Sequence, residues 1–163
     1  MRWIWFDRFE EFDSGRRAVA VKNVTLAEDH LHDHFPGYPI MPCSLMVEGM
    51  AQTAGILVGE ARKFSEKVIL AKVRRAEFHS LVRPGEQIRY EATVEGEVTA
   101  SGASTTGRIT VGGETVGEVD LMFSHIDQNM SGLEFPEENF VFTPEFMALL
   151  DTYRCAGGGR ISI

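Results

Sequence analysis

The chain has 163 residues, 44% hydrophobic and 25% charged, with a formal net charge of −8. That length and apolar content suit one globular domain with a buried core, and the acidic balance excludes nucleic-acid binding as the main activity, because phosphate contacts require basic surface. Cys43 and Cys155 are the whole cysteine complement, which gives neither a disulfide framework nor a zinc spacing.

At the N-terminus only Trp3 to Phe6 is apolar before Asp7, too short for the core of an export signal. The longest apolar run, Leu45 to Val58, is interrupted by Glu48 and Gln52 and falls short of a membrane span. A cytoplasmic protein is expected. The turn residues Asp13-Ser14-Gly15 lead into a predicted strand over 17–25. His30, His32 and His34 follow at alternate positions, and in an extended strand they would share a face able to bind a metal. No other ligand cluster accompanies them.

Pro36, Pro39 and Pro42 then brace a loop that separates His34 from Glu48 at the head of an apolar helix. Each proline fixes its own φ and pushes the preceding residue toward extended geometry, so the loop has few conformations left. A histidine and a carboxylate on such a support form an acid/base pair. The helix is expected from Pro42 to about Lys63, apolar on nearly every face and therefore buried all round. Gly49, Gly55 and Gly59 each cost about 1 kcal/mol of helix propensity relative to Ala, which marks close approach of other backbone.

Strand-like runs follow at 68–78, 87–99, 103–111 and 114–125, many of them alternating apolar and polar. Arg83-Pro84-Gly85-Glu86 fits a type II turn and Gly112-Gly113 a two-residue hairpin, so the strands pair antiparallel. One buried helix and four or five such strands predict an α+β layer arrangement, a curved antiparallel sheet wrapped around the helix. Residues 1–126 would form this domain. The remaining 127–163 would be an extension with a polar connection, a short helix begun by Thr143 and Pro144 and ended by Gly157 to Gly159, and a frayed tail. Phe146, Leu149 and Leu150 give that helix one apolar face.

Charge is uneven along the chain. Between Arg62 and Arg89 there are eight basic residues against three acids, an excess of five on an otherwise acidic protein. Such an island can steer an acidic partner to one place, although an ordinary solvated face would carry the same residues.

The segment Asp33-His34-Phe35-Pro36-Gly37-Tyr38-Pro39-Ile40-Met41-Pro42, followed by Glu48-Gly49-Met50-Ala51-Gln52, resembles the signature of the 3-hydroxyacyl-[acyl-carrier-protein] dehydratases of fatty acid synthesis. The likeness continues through Lys22-Asn23-Val24-Thr25 and Val82-Arg83-Pro84-Gly85-Glu86-Gln87 and covers roughly residues 3 to 125. It implies the hot-dog fold, in which a sheet wraps a central helix, and a homodimer or an assembly of dimers. It also implies no cofactor and no metal. By position His34 corresponds to the family's catalytic histidine and Glu48 to its catalytic carboxylate, the two groups of one site coming from opposite subunits. Glutamate rather than aspartate at 48 resembles the general dehydratase branch, not the branch that also isomerises the double bond.

Dehydration needs a base for the α-proton, an acid for the departing hydroxyl and donors for the carbonyl oxygen. These roles fall to His34, Glu48 and the helix start at Cys43 and Ser44, where unpaired N–H groups and the positive dipole end suit an oxyanion. Gln52, one turn beyond Glu48, is placed to orient it. Cys43 stands where the family usually has glycine; if that position required φ above zero, its side chain would cost on the order of 1 kcal/mol. Cys43 could alternatively be a low-pKa nucleophile with His34 as its base. The implied partner is acyl carrier protein, a small acidic protein bearing the acyl chain on phosphopantetheine, with Arg62, Lys63, Lys72, Arg74, Arg75 and Arg83 as its landing surface. Phe78, Met46 and Met50 are candidates for the wall of an acyl tunnel. Two other activities fit the same residues: an acyl thioesterase in which Glu48 activates water, and a non-catalytic subunit that binds acyl carriers.

Overall fold

The computed structural model describes residues 3–126, 137–139 and 141–152. Six strands form one antiparallel sheet: β1 (Arg8–Asp13), β2 (Arg17–Asn23), β3 (Lys67–Phe78), β4 (Gln87–Thr99), β5 (Gly102–Val111) and β6 (Glu114–Ile126). Their spatial order is β1-β2-β4-β5-β6-β3, so β1 and β3 are the edges. The sheet curves around α2 (Cys43–Ala61), with a single helical turn α1 (His30–Asp33) before it and α3 (Pro144–Thr152) after the last strand. This is the α+β hot-dog arrangement that the sequence implies. Among the described residues no helix is long and apolar enough to cross a membrane.

Local chemistry accounts for the joints. Gly85 has φ +95° and Glu86 N–H donates to Arg83 O at 3.2 Å, closing the expected turn. Gly112 and Gly113, at φ +58° and +90°, join β5 to β6. The concave face of the sheet presents Ile88, Tyr90, Ile109, Val119 and Leu121, all fully buried, to Met46, Met50, Ala54 and Leu57 of α2. The helix glycines admit aromatic rings rather than backbone: a Cβ on Gly49 would lie 2.5 Å from Tyr90 Cζ, and one on Gly59 would lie 2.5 Å from Phe142 Cζ.

Two local expectations need correction, and one strand was not expected. Strand β1 lies outside the expected strands; it pairs along β2 with Phe9 fully buried in the core. Residues 30–33 coil into α1, so His30, His32 and His34 do not alternate along a strand; His30 packs edge-on to Trp5 at 5.1 Å while His32 is exposed. The helix α2 stops at Ala61, two residues early, because Lys63 and Phe64 turn left-handed at φ +55° and +53°.

The C-terminal segment returns to the body of the molecule. Thr143 Oγ1 accepts the Phe146 N–H at 3.3 Å, the expected cap of α3. Phe142 is 7% exposed and Leu150 2%. Gly157 to Gly159 and the tail lie outside the described residues, as does most of the polar connection.

Candidate active site

His34 ends α1 and opens the proline-braced loop. Ile40 N–H donates back to His34 O at 2.9 Å, Phe35 and Tyr38 exchange backbone hydrogen bonds at 3.1 and 2.9 Å, and Met41 N–H donates to Val82 O at 2.7 Å. The loop is thereby tied to itself and to the β3–β4 connection. The His34 ring packs on Phe35 at 4.5 Å, and its Nδ1 lies 2.9 Å from Ile40 O. A carbonyl only accepts, so Nδ1 carries a hydrogen, and in the neutral ring Nε2 then bears the lone pair.

Glu48 occupies α2 one and a half turns after its start. Gln52 Nε2 donates to Glu48 Oε1 at 2.8 Å, and the amide of Gln52 is itself fixed: its Oε1 accepts Trp5 N–H at 2.8 Å and its Nε2 also donates to Trp3 O at 3.0 Å. Because the Trp5 peptide can only donate at that point, the amide cannot be turned over without losing both bonds. Glu48 Oε2 has no hydrogen bond among the described residues. The carboxyl borders a cavity of about 350 Å³ whose wall is largely apolar, including Gly55, Ile56, Val68 and Phe123.

No hydrogen bond joins His34 to Glu48 within one chain among the described residues, and His34 does not line the cavity that Glu48 borders. Phe35 and Tyr38, flanking the histidine on the loop, are 53% and 49% exposed. Within one chain the histidine loop and the cavity are therefore separate.

At the start of α2, Pro42 has φ −61° and ψ 131°, the extended entry to a helix. Leu45 and Met46 N–H donate to Pro42 O, while the Cys43 and Ser44 N–H groups have no backbone acceptor among the described residues and the Cys43 N–H faces its own sulfur. Cys43 is helical and has no positive φ, so its side chain adds no backbone strain where the family has glycine. Cys43 is exposed, and partial desolvation pushes its thiol up against a smaller lowering by its own backbone N–H, a direction that does not favour the low-pKa alternative.

The basic island does not stay together. Arg62 is clasped by Glu66 at 2.6 and 2.7 Å, Arg74 pairs with Glu95 at 2.6 Å, and Arg75 meets Glu77, Glu118 and Asp120. Lys63 and Lys72 form no ion pair among the described residues. Arg83 lies over the Tyr38 ring at 4.7 Å, beside the histidine loop. With α2 rising ~27 Å from Cys43 to Ala61, Lys63 and Arg83 lie at opposite ends of it in one chain. The expected tunnel candidates are also elsewhere: Met46 and Met50 are fully buried in the core, and Phe78 packs against Gly117.

Sequence reasoning did not reach the Ile40 carbonyl or the Trp3 and Trp5 peptides, which are backbone groups without a residue-type signature. It also did not place Val141, Phe142 and Phe146 on the cavity wall.

A model of the FabA-like domain matches residues 4–120. The chain is 38% identical over 125 residues to the 3-hydroxyacyl-[acyl-carrier-protein] dehydratase FabZ of Halalkalibacterium halodurans, covering 75% of this chain and 87% of that protein. It is 40% identical over 120 residues to the FabZ of Thiobacillus denitrificans, covering 71% and 82%. Among solved structures it is similar to the dehydratase heterocomplex ApeI:P from Xenorhabdus doucetiae (TM-score 0.56, 15% identity, 70% of this chain and 92% of that one). It is similar also to protein PH1136 from Pyrococcus horikoshii (TM-score 0.61, 14% identity, 79% and 89%). At such identities the structures support the fold alone.

Proposed function

The chain belongs to the FabA-like family, and from that premise we propose that it dehydrates (3R)-3-hydroxyacyl-[acyl-carrier-protein] to trans-2-enoyl-[acyl-carrier-protein] in fatty acid or related lipid synthesis, in the cytoplasm. It is a hydro-lyase. His34 Nε2, left with its lone pair by the Nδ1–Ile40 bond, takes the α-proton. Glu48 delivers a proton from Oε2 to the departing 3-hydroxyl, while Gln52 occupies Oε1 and so directs the acidic hydrogen to the other oxygen. Water leaves, and the electrons of the broken C–H bond form the double bond.

The positions along α2 support the same order. The N–H groups at Cys43 and Ser44 suit the thioester carbonyl, Glu48 follows ~7.5 Å along the axis for the 3-hydroxyl, and the apolar cavity beyond it suits the acyl tail. The observation that carries the assignment of roles is that each reacting group is held by one atom and leaves the other free. We assign the two groups of one site to different subunits of a homodimer. The separation of His34 from the cavity supports this, as do the exposed Phe35 and Tyr38 and the unpaired β3 edge with Leu70 and Val73 40% and 41% exposed. The acyl carrier protein would approach near Arg83, beside the histidine loop, with Lys63 and Lys72 as further cations of the island that form no ion pair among the described residues.

The test follows a 3-hydroxyacyl thioester on carrier protein by enoyl absorbance and by free thiol in parallel. Enoyl product without thiol supports the dehydratase, and addition of water to the enoyl thioester in reverse supports it further. Thiol release at the rate of substrate loss would instead establish the thioesterase, with Glu48 activating water.

A further inference from the structure

Part of the wall of the cavity at Glu48 comes from a segment that the family match, ending at residue 120, does not include. We propose that Phe142 and Phe146 form the end wall of the acyl pocket and set the longest acyl chain that it accepts; this rests on the acyl-thioester reading above.

Glu48, Gln52, Gly55 and Ile56 follow one stripe of α2 at helical spacing, all on the cavity wall, and the stripe continues to Gly59. From Glu48 to Ile56 is ~12 Å of helix. A chain bound with its 3-hydroxyl at Glu48 and its tail directed along this stripe meets Phe142 and Phe146 beyond Ile56. The Phe142 ring fills the space over Gly59, where a Cβ would lie 2.5 Å from its Cζ. It packs edge-on to Phe64 at 4.8 Å and is followed by Phe146 at 6.3 Å.

The wall is fastened to the body. Asn139 Nδ2 donates to Phe64 O and Glu66 O at 3.1 and 3.3 Å, and its Oδ1 accepts the N–H groups of Val141 and Phe142 at 3.1 and 3.0 Å. One side chain thus pins the segment to the α2–β3 connection and sets the direction in which Phe142 enters. Gly55 keeps the path open: a Cβ there would meet only Phe123, at 3.4 Å, and larger side chains would fill the cavity.

The experiment measures binding of saturated straight-chain acyl-pantetheine amides of increasing length by calorimetry. These have neither a 3-hydroxyl nor a thioester, so they are inert to dehydration and to hydrolysis. For the wild type, affinity should rise roughly fourfold per methylene up to one length and then fall. Phe146→Ala should move that break to longer chains and Phe146→Trp to shorter ones, with Phe142→Leu moving it as Phe146→Ala does should Phe146→Ala not fold. A break at the wild-type length in every folded variant overturns the proposal. Dehydration of the same chain lengths is followed in parallel: if no enoyl forms at any length while the break still moves, the proposed reaction fails and the wall stands.

Discussion

Gln52 holds Glu48 from one side only: its Nε2 donates to Glu48 Oε1 at 2.8 Å, with both ends of the same amide already committed to the backbone of Trp3 and Trp5. The N-terminal segment, remote in sequence, thereby fixes the rotamer of the proposed acid. Gln52→Leu should lower kcat by roughly 10²-fold through misplacement of the carboxyl while KM changes little. Steady-state kinetics on a carrier-bound substrate checks this; an equal loss in KM with kcat preserved would mean that Gln52 serves binding instead.

The N–H group at residue 43, rather than its side chain, should matter for the thioester. Cys43→Gly should leave turnover within about threefold, since Cys43 is helical without positive φ. Cys43→Pro keeps a good first-turn residue after an already extended Pro42 but removes the donor. It should cost about 10² to 10³ in kcat. Comparing the two variants, both checked for the wild-type melting temperature, separates the donor from the side chain.

Carrier recognition should depend on cations that the protein does not neutralise itself. Lys72→Glu and Arg83→Glu should raise KM for carrier-bound substrate by about tenfold at low salt, with the difference shrinking as salt screens it. A small pantetheine thioester should be turned over as by the wild type. Arg75→Glu should behave differently: it would set a fourth acid beside Glu77, Glu118 and Asp120 and lower the melting temperature. Equal loss on both substrates with Lys72→Glu would contradict this surface.

Glu66 links acid stability to the seat of the C-terminal segment. Its bonds from Arg62 hold the carboxyl below the usual carboxylate range against an opposing effect of burial, with His125 adding to the lowering. A carboxylate lowered by folding stabilises above its unfolded pKa, and that contribution is lost as pH falls through the folded value. Glu66→Gln should therefore melt below the wild type at pH 7, with the gap closing as pH falls below the ordinary carboxylate range. Thermal melts across that range check it; a gap that widens on acidification would contradict it.

The helix, five of the six strands and their turns were legible because each has a strong local signal: apolar spacing, alternation, and Pro-Gly or Gly-Gly at the joints. Strand β1 was not, since its acids Glu10 and Glu11 are drawn to Arg8, Arg17 and Arg89 only once the sheet has formed. For the same reason the basic island looked whole: the acids that divide it are distant in sequence, Glu118 and Asp120 coming beside it on the paired strand β6 and Glu95 reaching Arg74 from β4. The candidate acid and base were visible as residue types. What holds them was not, because a carbonyl at Ile40 and peptides at Trp3 and Trp5 have no side-chain signature.

As the proposed acid/base pair, His34 and Glu48 would belong to one site shared between two chains. Enoyl formation should be measured for His34→Ala and Glu48→Gln separately, and then for the two variants mixed and allowed to exchange subunits. Each alone should lose at least about 10²-fold, and the mixture should recover roughly a quarter of wild-type activity, because half of the dimers are mixed and each of those has one intact site. Wild-type turnover by either folded variant alone would contradict the acid/base assignment, and a mixture no more active than its components would contradict the shared site.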